Sequence, residues 1–170
     1  MNDATSLGRR AALGLSVLGL SACAAPITFE DRIRVGRRVG KLPERGRFYV
    51  ALPQDGYWHG HPHPQSGLRV AAQFQSALLR RRGWVAIGHA VEHIELTMFR
   101  ARGMNTDFVF VPRIVDWNER LPHHVELAIS VFETRTGHLH EHTQVGAIYG
   151  GPHPHDALMQ PVENYVAGLF

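Results

Sequence analysis

Short apolar runs that alternate with amphipathic segments constrain this chain most, because that alternation fits few architectures. The runs 47–52 and 84–87 predict buried strands. Between them, residues 67–82 place apolar side chains at helical spacing, with Ser66 as a plausible cap. A second helix is predicted over residues 91–102.

The second half of the chain predicts three more strands and a last helix. Residues 106–117 form a strand interrupted by Pro112, which favours a bulge or an unpaired edge. Residues 125–134 alternate apolar and polar side chains, as a half-buried strand does. Residues 140–148 pair back as a fifth strand, and residues 154–169 form a helix.

The order of elements is therefore βαβαβββα. Two right-handed crossovers make the first three strands parallel, and two hairpins complete the sheet. The predicted fold class is α/β, a layered sandwich with a mixed five-stranded sheet and helices packed on it. At 170 residues the chain allows one such domain, which we place at residues 47–170.

The N-terminus has the features of a bacterial export signal. A basic pair, Arg9-Arg10, precedes an apolar run over residues 11–20, which is too short to span a bilayer. The sequence Leu20-Ser21-Ala22-Cys23 follows and resembles the lipobox of bacterial lipoproteins. An ordinary signal peptide with a chance cysteine, or an N-terminal core helix, are the alternatives. The basic pair leaves both Sec and twin-arginine export open.

The lipobox resemblance implies cleavage after residue 22, a diacylglycerol on the Cys23 thiol and an acyl chain on its new amino group. Two or three chains anchor stably where one binds only marginally. The expected location is the cell envelope, lipid-anchored and facing the periplasm. Ala24 stands where an Asp would retain such a protein in the inner membrane, so the outer membrane is favoured. Residues 23–46 are expected to be the lipidated N-terminus and a tether, with room for one short strand.

Charge and cysteine content exclude other classes. Eighteen basic residues stand against fifteen acidic ones, without aromatic interleaving, so we expect no nucleic-acid partner. The single cysteine excludes an internal disulfide.

Twelve histidines suggest a periplasmic module for Zn, Cu or Ni, since imidazoles are common ligands for these metals. The predicted topology brings one set to one end of the sheet, and its members are the candidate metal ligands: His59, His61, His63, His123, His124, His153 and His155. His89 and His93 are expected at that end too, and His138, His140 and His142 at the other. The competing interpretation is solvated polar loops, because no thiolate or carboxylate cluster supports a site.

A catalytic pattern is also present, but its context argues against it. His89-Ala-Val-Glu92-His93 matches the H-x-x-E-H pattern of inverted zincins, which requires one helix. His89 instead follows directly on the predicted strand 84–87 and Gly88. We find no phosphate loop and no nucleophile beside a base. The prediction is a protein without catalytic residues or a bound cofactor.

Several segments carry a family resemblance: Phe108-Val-Phe-Val-Pro-Arg-Ile114 with Trp117, Val125-Glu-Leu, Thr134-x-Thr-Gly137, and Pro161-x-Glu-x-Tyr-Val166. They resemble an uncharacterised family of small Gram-negative envelope lipoproteins, which carries only a domain-of-unknown-function label. The order of elements is also similar to the N-terminal domain of TolB. The resemblance implies a non-enzymatic accessory, assembly or binding role with an unidentified envelope protein as partner.

Overall fold

The computed structural model describes residues 29–81, 83–118, 120, 122–149 and 156–170. Three of the predicted site residues lie outside this part of the chain: Cys23, His153 and His155. Within the described residues, no helix is both long and apolar enough to cross a membrane.

Eight strands and three helices make up the described fold. The strands are β1 Phe29–Arg38, β2 Arg47–Val50, β3 Tyr57–Trp58, β4 His61–Pro62, β5 Trp84–Ile87, β6 Phe108–Asn118, β7 His123–Glu133 and β8 Leu139–Tyr149. The helices are α1 Ser66–Leu79, α2 Ile94–Gly103 and α3 Asp156–Leu169. Six strands form one sheet in the order β1-β8-β7-β6-β2-β5, and β3 pairs with β4 in a separate hairpin.

The mixed α/β architecture is confirmed, and so are its three parallel strands, because β2 pairs in parallel with both β5 and β6. The five-stranded sheet is wrong, since the sheet has six strands. The sixth is β1, which lies in the segment expected to be a tether and pairs antiparallel with β8 along its whole length. The sequence leaves room for one short strand in the tether, but an edge strand rich in charges gives little apolar signal, so a ten-residue strand of the sheet is not predicted.

Pro112 stands where one side of β6 has no partner. β2 pairs with β6 only as far as Phe110, whereas β7 pairs with β6 up to Asn118. Proline can occupy this position because no hydrogen bond to β2 is needed there. Of the two alternatives for Pro112, the unpaired edge is confirmed, and the register shift falls later, between Ile114 and Asp116.

The core has two unequal parts, one on each face of the sheet. The larger part packs α1 and α3 on one face and includes Phe74 and Leu169. The smaller part packs α2 through Met98 and Ala101 against Tyr49 and Val109. Because alternate residues of a strand point to opposite faces, α2 covers the face opposite α1 and α3.

An ion pair whose carboxylate is buried connects the edge strand, the sheet and the last helix. Arg38 of β1 donates from Nε to Glu141 Oε2 at 2.6 Å and from Nη2 to Oε1 at 3.1 Å. Thr143 Oγ1 donates to the same carboxylate at 2.6 Å, and Arg38 Nη1 donates to the carbonyl of Gly168 at 3.0 Å. Burial, and then the nearby Glu141 carboxylate, raise the pKa of Tyr165 on α3 above its ordinary 10.0. Charge therefore fixes β1 and α3 to β8.

Candidate functional site

A crevice opens where the parallel part of the sheet ends, beside the unpaired edge of β6. Its walls are the segment after β2, residues 51–57, the loop before α2, residues 91–93, and residues 111–115 of β6. Its volume is about 550 Å³, within the range of about 300–1,000 Å³ for ligand pockets. After β2 the chain continues into α1 on one face of the sheet, and after β5 it continues into α2 on the other face. Open α/β sheets bind ligands at the point where neighbouring strands are followed by connections on opposite sides.

Asp55 fixes the first wall of the crevice by capping α1 from a distance. Its carboxylate accepts hydrogen bonds from the backbone N–H of Gln65 at 3.1 Å and of Gly67 at 2.8 Å. Glycine is needed at residue 67, because a Cβ there would lie 2.3 Å from the carbonyl oxygen of Pro53. The cap was expected from Ser66, whose hydroxyl is instead occupied by Gly56 N–H and by the backbone carbonyl of His63.

The polar groups of the crevice differ in whether they are already engaged. Asp55 caps α1, and Glu92 pairs with Arg100 Nε at 2.8 Å. Arg113 and His93 are exposed, and Arg113 has no ion-pair partner in the described part of the chain. The guanidinium of Arg113 and the imidazole of His93 are thus the polar groups of the crevice that remain available to a ligand, beside its apolar walls. This arrangement can bind a ligand. The Ser66 hydroxyl, next to the first wall, is taken up by hydrogen bonds with the backbone.

The β3–β4 hairpin projects next to this crevice. Its turn uses positive φ at His59 (48°) and Gly60 (81°), the conformation that two-residue hairpin turns favour. Tyr57 is 64% exposed, and the guanidinium of Arg120 lies 4.6 Å above the ring of Trp58. Tyr57 is therefore open to solvent, whereas Trp58 is half-buried.

Helix α2 leaves several large apolar side chains exposed. Its buried residues are Thr97, Met98 and Ala101. The exposed apolar side chains on α2 and the loop before it are Val91, Ile94, Leu96 and Phe99. Phe99, at 72% exposure, is the most exposed large apolar side chain in the described chain. Leu96 and Phe99 are three residues apart and so are neighbours on one face of the helix, and clustered exposed apolar side chains mark interaction sites.

The predicted histidine ligands do not converge within the described residues. No group of three or more histidine, cysteine, aspartate or glutamate side chains there could hold a metal ion. His59 and His61 are exposed on the hairpin, and His124 Nδ1 lies 2.7 Å from Asp116 Oδ2. His63 is half-buried below the hairpin. The part of the prediction that needs His153 and His155 stays a prediction.

His123 differs from the other described histidines because it is buried, at 4% exposure. Neither of its ring nitrogens has a hydrogen-bond partner among the described residues, and its ring stacks on Tyr149 with centroids 6.3 Å apart. A buried polar atom without a partner costs about 1–3 kcal/mol, so a ligand of this imidazole would stabilise it.

Three of the remaining histidines lie at the end of the sheet where the topology predicted them, and two belong to the H-x-x-E-H pattern. His138, His140 and His142 are at the opposite end of the sheet, where β8 begins. His140 Nε2 is 3.2 Å from the carbonyl of Gly40. Residues 89–93 precede α2, so the H-x-x-E-H pattern does not lie on one helix.

Comparison with known proteins identifies the family and the fold. The family model described as a domain of unknown function, DUF4823, matches residues 40–169. No curated protein matches the sequence. The PelC dodecamer from Paraburkholderia phytofirmans has been solved in two crystal forms. The first shares 14% identity over 84% of this chain and 98% of its own, with a TM-score of 0.62. The second shares 13% identity over 84% and 97%, with a TM-score of 0.61.

Lipoprotein GNA1162 from Neisseria meningitidis also has this fold. It shares 11% identity over 72% of this chain and 96% of its own, with a TM-score of 0.51. At these identities the likeness shows a common fold. The similarity to the N-terminal domain of TolB stays a prediction.

Proposed function

The chain belongs to the DUF4823 family, and from that premise we propose that it is a lipid-anchored protein of the cell envelope that acts as a non-enzymatic accessory or assembly subunit. The anchor is Cys23, the domain faces the periplasm, and the outer membrane is favoured by Ala24. Two proteins of similar fold support this proposal by their descriptions, one as a lipoprotein and the other as a dodecamer.

The exposed apolar face of α2 is the observation that carries the assembly role. A helix that keeps Phe99 and Leu96 in water gains little from folding alone, whereas burying one such side chain is worth about 1.5–3 kcal/mol. A partner that covers this face would bury these side chains, and the complex would be stabilised by that free energy. The partner is an envelope protein, and a second copy of this chain is the first to test.

We expect Phe99→Glu to lower the yield of crosslinked complexes about tenfold or more, because the lost burial of about 1.5–3 kcal/mol corresponds to that change in affinity. Folding should be unaffected, since Phe99 is mostly in solvent. The measurement is crosslinking in intact envelopes, with size-exclusion chromatography and light scattering of the lipidated protein in detergent.

Leu68→Glu is the matched control, because Leu68 is an exposed apolar residue of α1, at 53%, on the other face of the sheet. It should leave the complexes intact. Equal complex formation by the Phe99 variant, or wild-type protein that is monomeric and enriches nothing over a control lipoprotein, would count against the assembly role.

Metal binding is the second candidate, and the buried imidazole of His123 favours it. A zinc site needs neutral nitrogen ligands within about 2.1 Å of the ion. His123 offers two ring nitrogens that no described side chain engages. We infer a site for Zn, Cu or Ni in which His123 acts with His153 or His155. The alternative is a weak chelate made only of His59, His61 and His63.

Titration of Zn or Cu into the soluble Cys23→Ser protein separates these cases. We expect sub-micromolar binding that is lost in His123→Phe, which keeps a ring against Tyr149 but removes both nitrogens. His61→Ala, on the exposed hairpin, is the control and should bind as before. Millimolar binding, or loss with the hairpin variant alone, would show that the histidines form no specific site.

A further inference from the structure

The chain enters the described domain at one defined end of the sheet. Phe29, the first residue of β1, is paired with Tyr149 of β8, and Tyr149 is paired with His123 of β7. β6 finishes beside them, where Asn118 pairs with His124. We call this end, marked by Phe29, Asn118, His123 and Tyr149, the anchor-proximal end.

The distance from the proposed lipid to this end is short. Five residues separate Cys23 from Phe29, so their Cα atoms lie at most about 21 Å apart. β1 itself has ten residues and extends about 33 Å away from that point. An anchor on Cys23 therefore holds the anchor-proximal end near the bilayer surface, and β1 leads away from it to the opposite end of the sheet. This step rests on the proposed function.

The β3–β4 hairpin lies at the same end. Gly56, directly before it, packs so closely on β6 that a Cβ there would be 2.7 Å from the Cβ of Trp117. Arg120, just past the end of β6, stacks on Trp58. Three strand spacings separate β6 from β1, or about 14 Å. The sideways distance from β1 to the part of β6 that the hairpin packs on is thus shorter than the maximum reach of the spacer, about 21 Å.

The side chains of the hairpin suit the headgroup region of a bilayer. Tyrosine and tryptophan are enriched there because their rings are apolar and their tips are polar. The exposed Tyr57, the half-buried Trp58 and the guanidinium of Arg120 combine both properties at one tip. We propose that the Tyr57–Pro62 hairpin docks in the interfacial layer of the membrane that carries the lipid anchor, and so fixes the orientation of the domain.

The opposite end of the sheet has a chemically similar pair that provides an internal comparison. Trp84 begins β5, is 44% exposed, and has the guanidinium of Arg47 4.4 Å above its ring. If aromatic and cationic chemistry alone decided membrane contact, both pairs would insert. Only the Trp58 pair lies at the end of the sheet that the short spacer holds near the bilayer.

The test uses the full-length lipidated protein in vesicles of phosphatidylethanolamine and phosphatidylglycerol with brominated acyl chains, which quench nearby tryptophan fluorescence. Trp84→Phe should retain the quenching of the wild type, and Trp58→Phe should lose it. Trp117 is buried and contributes the same background to both variants. Quenching that persists without Trp58, that disappears without Trp84, or that is absent from the wild type would overturn the proposal.

Mass spectrometry of the same samples separates the two levels of the argument. Protein without acyl mass on Cys23 would contradict the proposed lipid anchor. Acylated, vesicle-bound protein whose Trp58 is not quenched would overturn the hairpin docking alone. Acylated protein quenched through Trp58 supports both.

Discussion

Replacing Cys23 by serine is expected to release the protein from the membrane fraction and to abolish its acyl mass. The cysteine thiol is the acceptor that the lipobox resemblance implies, and a hydroxyl does not replace it. Two or three acyl chains bind a bilayer far more stably than one, so the shift between fractions should be nearly complete. Membrane fractionation and intact-mass analysis measure it.

Ser21→Ala is the matched control, because it keeps a small residue at its place in the Leu20-Ser21-Ala22-Cys23 sequence. It should remain acylated and membrane-bound. Both positions precede β1, whose first residue is Phe29, so both variants should fold as the wild type does. Wild-type protein recovered unacylated and soluble, with residues 1–22 removed, would contradict the anchor.

The parts of the fold that could be predicted are those whose side chains follow one period. β7 has Val125, Leu127 and Ile129 at alternate positions, and all three are buried in the larger core as expected. β5 was predicted with its observed bounds, since a run of apolar residues between Gly83 and Gly88 leaves little choice. The spacing of apolar residues and the flanking glycines were sufficient to predict the strands whose side chains are buried in the core.

β1 could not be found in the same way. Its sequence, Phe29–Arg38, is mostly charged, and Ile33 remains 39% exposed although it is paired with Val145. What holds β1 is backbone pairing along an edge together with the ion pair between Arg38 and Glu141. Contacts 103 residues apart leave no local pattern.

The candidate site, too, could be predicted only in part from the sequence. Topology predicted that loops would meet at one end of the sheet, and the crevice is formed by two such loops and β6. The crevice depends on β2 ending at Val50 while β6 continues, a difference in strand length that periodicity does not encode. The exposed face of α2 could have been suspected, because Ile94, Leu96 and Phe99 do not fall on one helical stripe.

Arg38→Met is expected to lower the free energy of unfolding by about 3–5 kcal/mol, because it leaves a buried carboxylate without its counter-charge. The Glu141 side chain is fully buried, and Arg38 supplies two of its hydrogen bonds. Methionine keeps most of the apolar stem of arginine, so the loss reports charge more than packing. Urea unfolding of the soluble Cys23→Ser protein measures it.

Removing the Glu141 charge as well distinguishes the loss of the ion pair from a packing defect. In the double variant Arg38→Met with Glu141→Gln, much of the lost stability should return, since a neutral amide is cheaper to bury than a carboxylate. Arg80→Met is the matched control: Arg80 pairs with Glu163 at 2.5 Å, but its side chain is 58% exposed, and such a pair is worth at most about 1 kcal/mol. If Arg38→Met cost no more than Arg80→Met, the buried pair would not be what holds β1 and α3 to the sheet.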